Sequence, residues 1–80
     1  MERTIKLGQI YKHFKGGLYL TLLLGYDHET REPLVVYKQL ASGHNFVRPL
    51  DMFLSEVERS KYPEAKQHFR MEEFNMKGDQ

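Results

Sequence analysis

The sequence predicts an all-β domain, mainly strands with one short helix, folded as a small SH3-like barrel of four to five strands. Three observations predict it. Apolar and polar side chains alternate with a period of two over residues 9–14 and 18–24. Glycine and proline cut the first 50 residues into runs too short for stable helices. With only 80 residues, a flat sheet would be mostly exposed edge, which closure into a barrel removes.

The elements follow in order. Residues 1–7 are a lead-in, with a short strand or turn around Ile5 and Leu7. Gln9-Ile10-Tyr11-Lys12-His13-Phe14 places Ile10 and Phe14 on one face and Tyr11 and His13 on the other, as a half-buried strand requires. Gly16-Gly17 supplies the positive φ angles of a tight reversal. In the next strand Leu18, Leu20, Leu22 and Leu24 share a face expected to be buried, with Tyr19, Thr21 and Leu23 opposite. Asp27-His28-Glu29-Thr30-Arg31-Glu32-Pro33 is a polar loop ended by proline.

Residues 34–40 form a third strand, rich in β-branched and aromatic side chains. After the turn Ala41-Ser42-Gly43-His44 comes a short fourth strand over residues 45–48, stopped by Pro49, which has no N–H for the ladder. The period then changes. Asp51 is a candidate cap for a helix of about two turns, carrying Phe53, Leu54 and Val57 at helical spacing. Ser60-Lys61-Tyr62-Pro63 breaks it. Residues 64–74 suit a closing strand through Phe69 and Met71, or a helix from Pro63 through Ala65 and Phe69; the strand is preferred. Residues 75–80 are expected to fray, leaving 8–74 as one domain.

Composition narrows the function. There is no cysteine, which removes disulfides, thiolate-bound zinc and a thiol nucleophile together. A small secreted domain commonly carries disulfide staples, so a cytoplasmic location is expected. The longest leucine run, Leu22-Leu23-Leu24, is far too short to span a bilayer, so no membrane partner is expected. A net charge of +1 favours a soluble domain over a phosphate-binding surface, leaving nucleic acid as a disfavoured partner.

The run Gly8-Gln9-Ile10-Tyr11-Lys12-His13-Phe14-Lys15-Gly16-Gly17-Leu18-Tyr19 resembles the opening of a small bacterial family, domain of unknown function 1653. The likeness continues through Glu29-Thr30-Arg31-Glu32, Leu34-Val35-Val36-Tyr37, Val47-Arg48-Pro49 and Met52-Phe53. It departs before Glu29, where many members carry His-Ser or His-Thr and this chain carries Asp27-His28. The resemblance implies a compact, predominantly β, SH3-like domain and implies no activity.

Two groups of residues bear on chemistry. Tyr11, His13, Lys15, Tyr19, Tyr37 and Arg48 would form a shallow aromatic and basic face if their strands pair with these side chains outward. Tyrosine rings give contact area at low entropic cost, and the cations suit a carboxylate, a phosphate or a base plane. The plainer account has the tyrosines packing over the seams of the barrel and Arg48 bracing the loop through Glu29 or Glu32, or through backbone carbonyls near the following helix. The second group, Asp27, His28 and Glu29, invites a metal or general-base reading. Neighbours in extended chain point to opposite sides, however, and His13, His28, His44 and His68 show no ligand spacing. No cofactor and no metal is expected. The serines and Thr30 sit in no nucleophile elbow.

The leading expectation is a noncatalytic module binding a peptide or other polymer through the aromatic and basic face. The alternatives are a small enzyme with a histidine–carboxylate site, leaning against catalysis, and a weak RNA-binding barrel. A homodimer through edge strands is compatible with all three.

Overall fold

The computed structural model describes residues 3–75, so most of the expected fraying tail, residues 76–80, lies outside the described residues. Five strands and one helical turn follow in the order β1 (Ile10–His13), β2 (Leu18–Tyr26), β3 (Pro33–Gln39), β4 (Asn45–Pro49), α1 (Leu50–Phe53) and β5 (Met71–Glu73). The strands form one antiparallel sheet in the order β4-β3-β2-β1-β5. The first four make a meander, because each is joined to the next by a short turn. Gly16 and Gly17 adopt φ of 101° and 94° at the first of these, which only glycine enters without strain. Residues 54–70 then cross back so that β5 pairs with β1 on the far edge.

The sheet is open. β4 and β5 are its two edges and are not hydrogen-bonded to each other, so the expected closed SH3-like barrel is not formed among the described residues. The chain is mainly β with one short helix, as expected.

The faces of the sheet are inverted relative to the sequence pattern. Tyr11, at 1% exposure, and Tyr37 are buried, and Thr21 is buried beside them. Leu22, Leu23 and Leu24 are exposed. Phe53 causes this. It enters from α1 and lies edge-on to both tyrosine rings, with centroids 5.2 Å from Tyr11 and 5.1 Å from Tyr37. Rings of that size bury more apolar area than leucines do, and their hydroxyls still find partners. Tyr11 accepts from the Lys6 N–H at 3.1 Å and Tyr37 from Arg48 Nε at 3.2 Å.

A β-bulge in β2 completes the difference. Pairing with β3 runs Thr21 to Tyr37 and then Leu23 to Val36, so Leu22 is the extra residue and parity flips there. Before the bulge Tyr19 and Thr21 face inward, and after it Leu24 shares the face of buried Val35 while remaining exposed itself. The register therefore places Leu20, Leu23, Val36 and Val47 on the outer face.

Two further expectations change. The helix spans four residues rather than two turns, and its N-cap is Pro49 instead of Asp51. It ends because Ser55 bonds back to the Met52 carbonyl through both N–H and Oγ, at 3.2 and 2.7 Å, and Glu56 then bridges to Phe69. Val57 is still buried, but from this irregular segment. Among its described residues the lead-in takes the turn form of the strand or turn expected there, at Leu7 and Gly8, and it is anchored. Arg3 donates to the carbonyls of Leu54 at 2.9 Å and Met71 at 2.7 Å, with its guanidinium 4.0 Å from the Phe69 ring centre. The closing strand is present as β5.

Candidate functional site

The inner face of the sheet carries more than the core. Tyr19 from β2, His13 from β1, Tyr37 from β3, and Phe46 and Arg48 from β4 surround a pocket of about 140 Å³, completed by Arg70 and Met71 on the returning chain. Both edges of the sheet thus line one cavity. The gap left by incomplete closure is the pocket.

Four of the six expected face residues, His13, Tyr19, Tyr37 and Arg48, therefore converge, but in a concave site instead of on an outward platform. Tyr11 does not reach it, being sealed beneath Phe53. Lys15 lies one step away, with its ammonium 4.7 Å from the centre of the Tyr62 ring, which it holds below the usual phenol pKa by hydrogen bonding and charge. Arg70, Phe46 and Met71 were not singled out by the sequence. Phe46 could have been found from its parity, since it shares a face with Arg48 two residues on. Arg70 could not, because it is delivered by an irregular segment with no periodicity.

A row of rings connects this pocket to the core and to the surface. Phe53 meets Tyr37, Tyr37 meets Tyr19 at 5.5 Å, and Tyr19 meets His13 at 6.2 Å. His13 stacks on Phe14 at 4.7 Å, and Phe14 meets Tyr62 edge-on at 4.9 Å. Phe14 and Tyr62 help to line a second, more open pocket of about 390 Å³ with Lys15, Lys61, Pro63, Glu64 and Ala65. The His13–Phe14 stack is the shared wall between a small basic pocket and a larger one whose lining mixes rings with charged side chains.

The electrostatics are one-sided. Burial pushes the His13 pKa below its ordinary value, and the charges of Arg70, Arg48 and Lys15 push it further the same way. The imidazole is neutral at pH 7, with Nδ1 accepting from the Lys15 N–H at 3.1 Å. Arg48 is not paired with Glu29 or Glu32, as bracing of the loop would require. Its recorded partner is the Tyr37 hydroxyl. The ion pairs among the described residues are Lys6–Glu73 and His68–Glu56, both exposed and away from the pocket.

Asp27, His28 and Glu29 occupy the β2–β3 turn, beyond the end of β2 distant from Tyr19. The nine residues of β2 separate them from His13 by about 30 Å at about 3.3 Å per residue. Asp27 Oδ1 accepts from the N–H groups of Glu29 at 2.9 Å and Thr30 at 3.0 Å, and these bonds hold its carboxyl below the usual range. Its carboxylate shapes the turn, in which Arg31 takes the left-handed conformation at φ 65°. Among the described residues no three His, Asp or Glu side chains are grouped to hold a metal ion. Nor is any described helix long and apolar enough to cross a membrane.

A model of the family described as "Protein of unknown function (DUF1653)" matches residues 9–73. That span runs from β1 through β5 and includes every residue lining the basic pocket. No curated protein and no solved structure matches the chain.

Proposed function

Since the chain belongs to the DUF1653 family, whose description names no reaction and no ligand, its role is read from the pocket, and we propose that it is a noncatalytic binding module for an extended peptide. The observation that carries this reading is the convergence of His13, Tyr19, Tyr37 and Arg48 from four different strands on one concave site. Rigid strands hold such a constellation better than loops do. The neighbouring pocket, reached over the His13–Phe14 stack, offers its Phe14, Tyr62 and Pro63 wall as a seat for an apolar side chain next to the group held by the arginines. Together the two give a polar anchor and an apolar one at adjacent positions, which is how short peptides are commonly recognised.

Catalysis is the weaker reading. A histidine acting as acid or base needs a carboxylate or a nucleophile within hydrogen-bond reach. The carboxylates once considered for that role, Asp27 and Glu29, stand at the other end of β2. In a cysteine-free chain the reading extends to a reducing compartment, the cytoplasm, as the place of action.

The reading is tested by panning a random peptide library against the full chain and measuring the enriched peptides by calorimetry on Tyr19→Phe and Arg48→Met. Saturable binding that weakens in both variants supports it. Failure to enrich any peptide, or equal binding in both variants, refutes it.

A further inference from the structure

We infer that the pocket between Arg48 and Arg70 is an oxyanion site, holding a carboxylate or phosphate group of the ligand against two guanidinium groups, the His13 imidazole and the Tyr19 and Tyr37 hydroxyls. The inference rests on the binding reading only for the ligand being a peptide.

The direction of the hydrogen bonds along the pocket wall carries the argument. The His44 backbone N–H donates to Ser42 Oγ at 3.1 Å, so the Ser42 hydroxyl proton goes to Gln39 Oε1 at 2.6 Å. That fixes the Gln39 amide, whose Nε2 donates to the Tyr19 hydroxyl at 3.3 Å. Tyr19 is left with its own proton to give. Arg48 Nε donates to the Tyr37 hydroxyl, which leaves Tyr37 in the same position. The Lys15 N–H donates to His13 Nδ1, so the ring proton of the neutral imidazole is on Nε2. Arg70 is oriented through Nε, which donates to Ser55 Oγ at 3.2 Å.

Each of these side chains accepts or donates along the wall and retains a donor. The terminal nitrogens of Arg48 and Arg70 have no acceptor among the described residues, and no carboxylate lines the pocket. A concave site furnished with donors and two uncompensated positive charges is complementary to an anion with several acceptor oxygens. Its volume, about 140 Å³, is below the range of about 300–1,000 Å³ that takes a whole small molecule, so it suits one functional group of a larger ligand.

The test uses the full chain, with acetate and inorganic phosphate as probes at constant ionic strength and pH 7. The NMR resonances of the His13 ring and of the Arg48 and Arg70 Nε–H groups are followed. We expect saturable shifts in all three, and affinity weakened about tenfold or more in Arg48→Gln and in Arg70→Gln. Arg31→Gln, which removes an exposed charge in the distant β2–β3 turn, should leave affinity unchanged. Tighter binding of acetate assigns a carboxylate, and tighter binding of phosphate assigns a phosphate ester. Shifts that stay linear with concentration overturn the proposal, as does unchanged affinity in the arginine variants. Tyr19→Phe removes one donor and keeps the ring, so it decides the matter should an arginine variant unfold: weakened binding supports the site and unchanged binding overturns it. Peptide binding without anion binding would remove this site and keep the module. Anion binding without peptide binding would do the reverse.

Discussion

Phe53 meets the Tyr11 ring edge-on, with centroids 5.2 Å apart and planes at 78°, and this contact decides which face of the sheet is the inside. Both side chains are almost fully buried, and they come from β1 and from the helical turn α1, with Phe53 lying 42 positions after Tyr11 in the chain. The same phenylalanine touches Tyr37, so it joins three elements at one point. Phe53→Ala should therefore cost about 3–5 kcal/mol, most of the stability of a domain this small. Urea unfolding checks this; a loss below about 1 kcal/mol would mean the core lies elsewhere.

Thr21 ties the lead-in to the sheet. At 1% exposure it is buried, and its Oγ1 donates to the Lys6 carbonyl at 2.6 Å and accepts from the Gln9 N–H at 3.2 Å. Thr21→Val keeps the shape and removes both bonds, so it should cost about 1–3 kcal/mol by leaving buried partners unsatisfied. Faster exchange of the Gln9 amide in that variant, measured beside global unfolding, distinguishes local release of the lead-in from general weakening. An unchanged exchange rate would contradict the assignment.

Strand positions were legible because alternation, glycine pairs and proline act locally, and each leaves its mark within a few residues. The pairs Gly16-Gly17 and Val47-Arg48-Pro49 mark ends that the structure places within a residue or two. Which face turns inward was not legible. Alternation is symmetric between faces, and leucine outranks tyrosine in hydrophobicity, yet the choice was made by Phe53 arriving from far along the chain. The bulge at Leu22 is a defect of pairing between β2 and β3, which no single strand records. The pocket was half legible for the same reason. His13, Tyr19, Tyr37 and Arg48 have the chemistry to be noticed, whereas Arg70 gains its importance only through the return of residues 54–70.

Leu23 gives a direct measure of the parity flip at the bulge. It is 52% exposed on the outer face, opposite Val36. Leu23→Thr keeps β-propensity and removes little buried area, so stability should change by no more than about 0.5 kcal/mol. Without the bulge Leu23 would share the inward face of Tyr19 and Thr21 and would cost several times that. Chemical denaturation of Leu23→Thr beside Phe53→Ala reads the difference, and a cost above about 2 kcal/mol at Leu23 would show its side chain buried.

His13 makes stability depend on pH in a predictable direction. Burial and the charges of Arg70, Arg48 and Lys15 hold its folded pKa below the unfolded value of about 6.5. Between the folded pKa and 6.5 the unfolded chain binds more protons at this site, so stability rises with pH across that window. The contribution is fully present above the unfolded value and is lost as pH falls through the folded one. Protonation would also place a hydrogen on Nδ1, where the Lys15 N–H now donates, and so open the β1–β2 turn. Two measurements check it: an NMR titration of the His13 ring should give a midpoint below 6.5, and His13→Gln should flatten this part of the pH dependence of the unfolding free energy. Saturating acetate or phosphate should then raise the His13 midpoint, because an anion between the arginines favours the imidazolium that they oppose. A midpoint above 6.5 in the free protein would instead place a carboxylate beside the ring, against the donor-only wall from which the pocket was read.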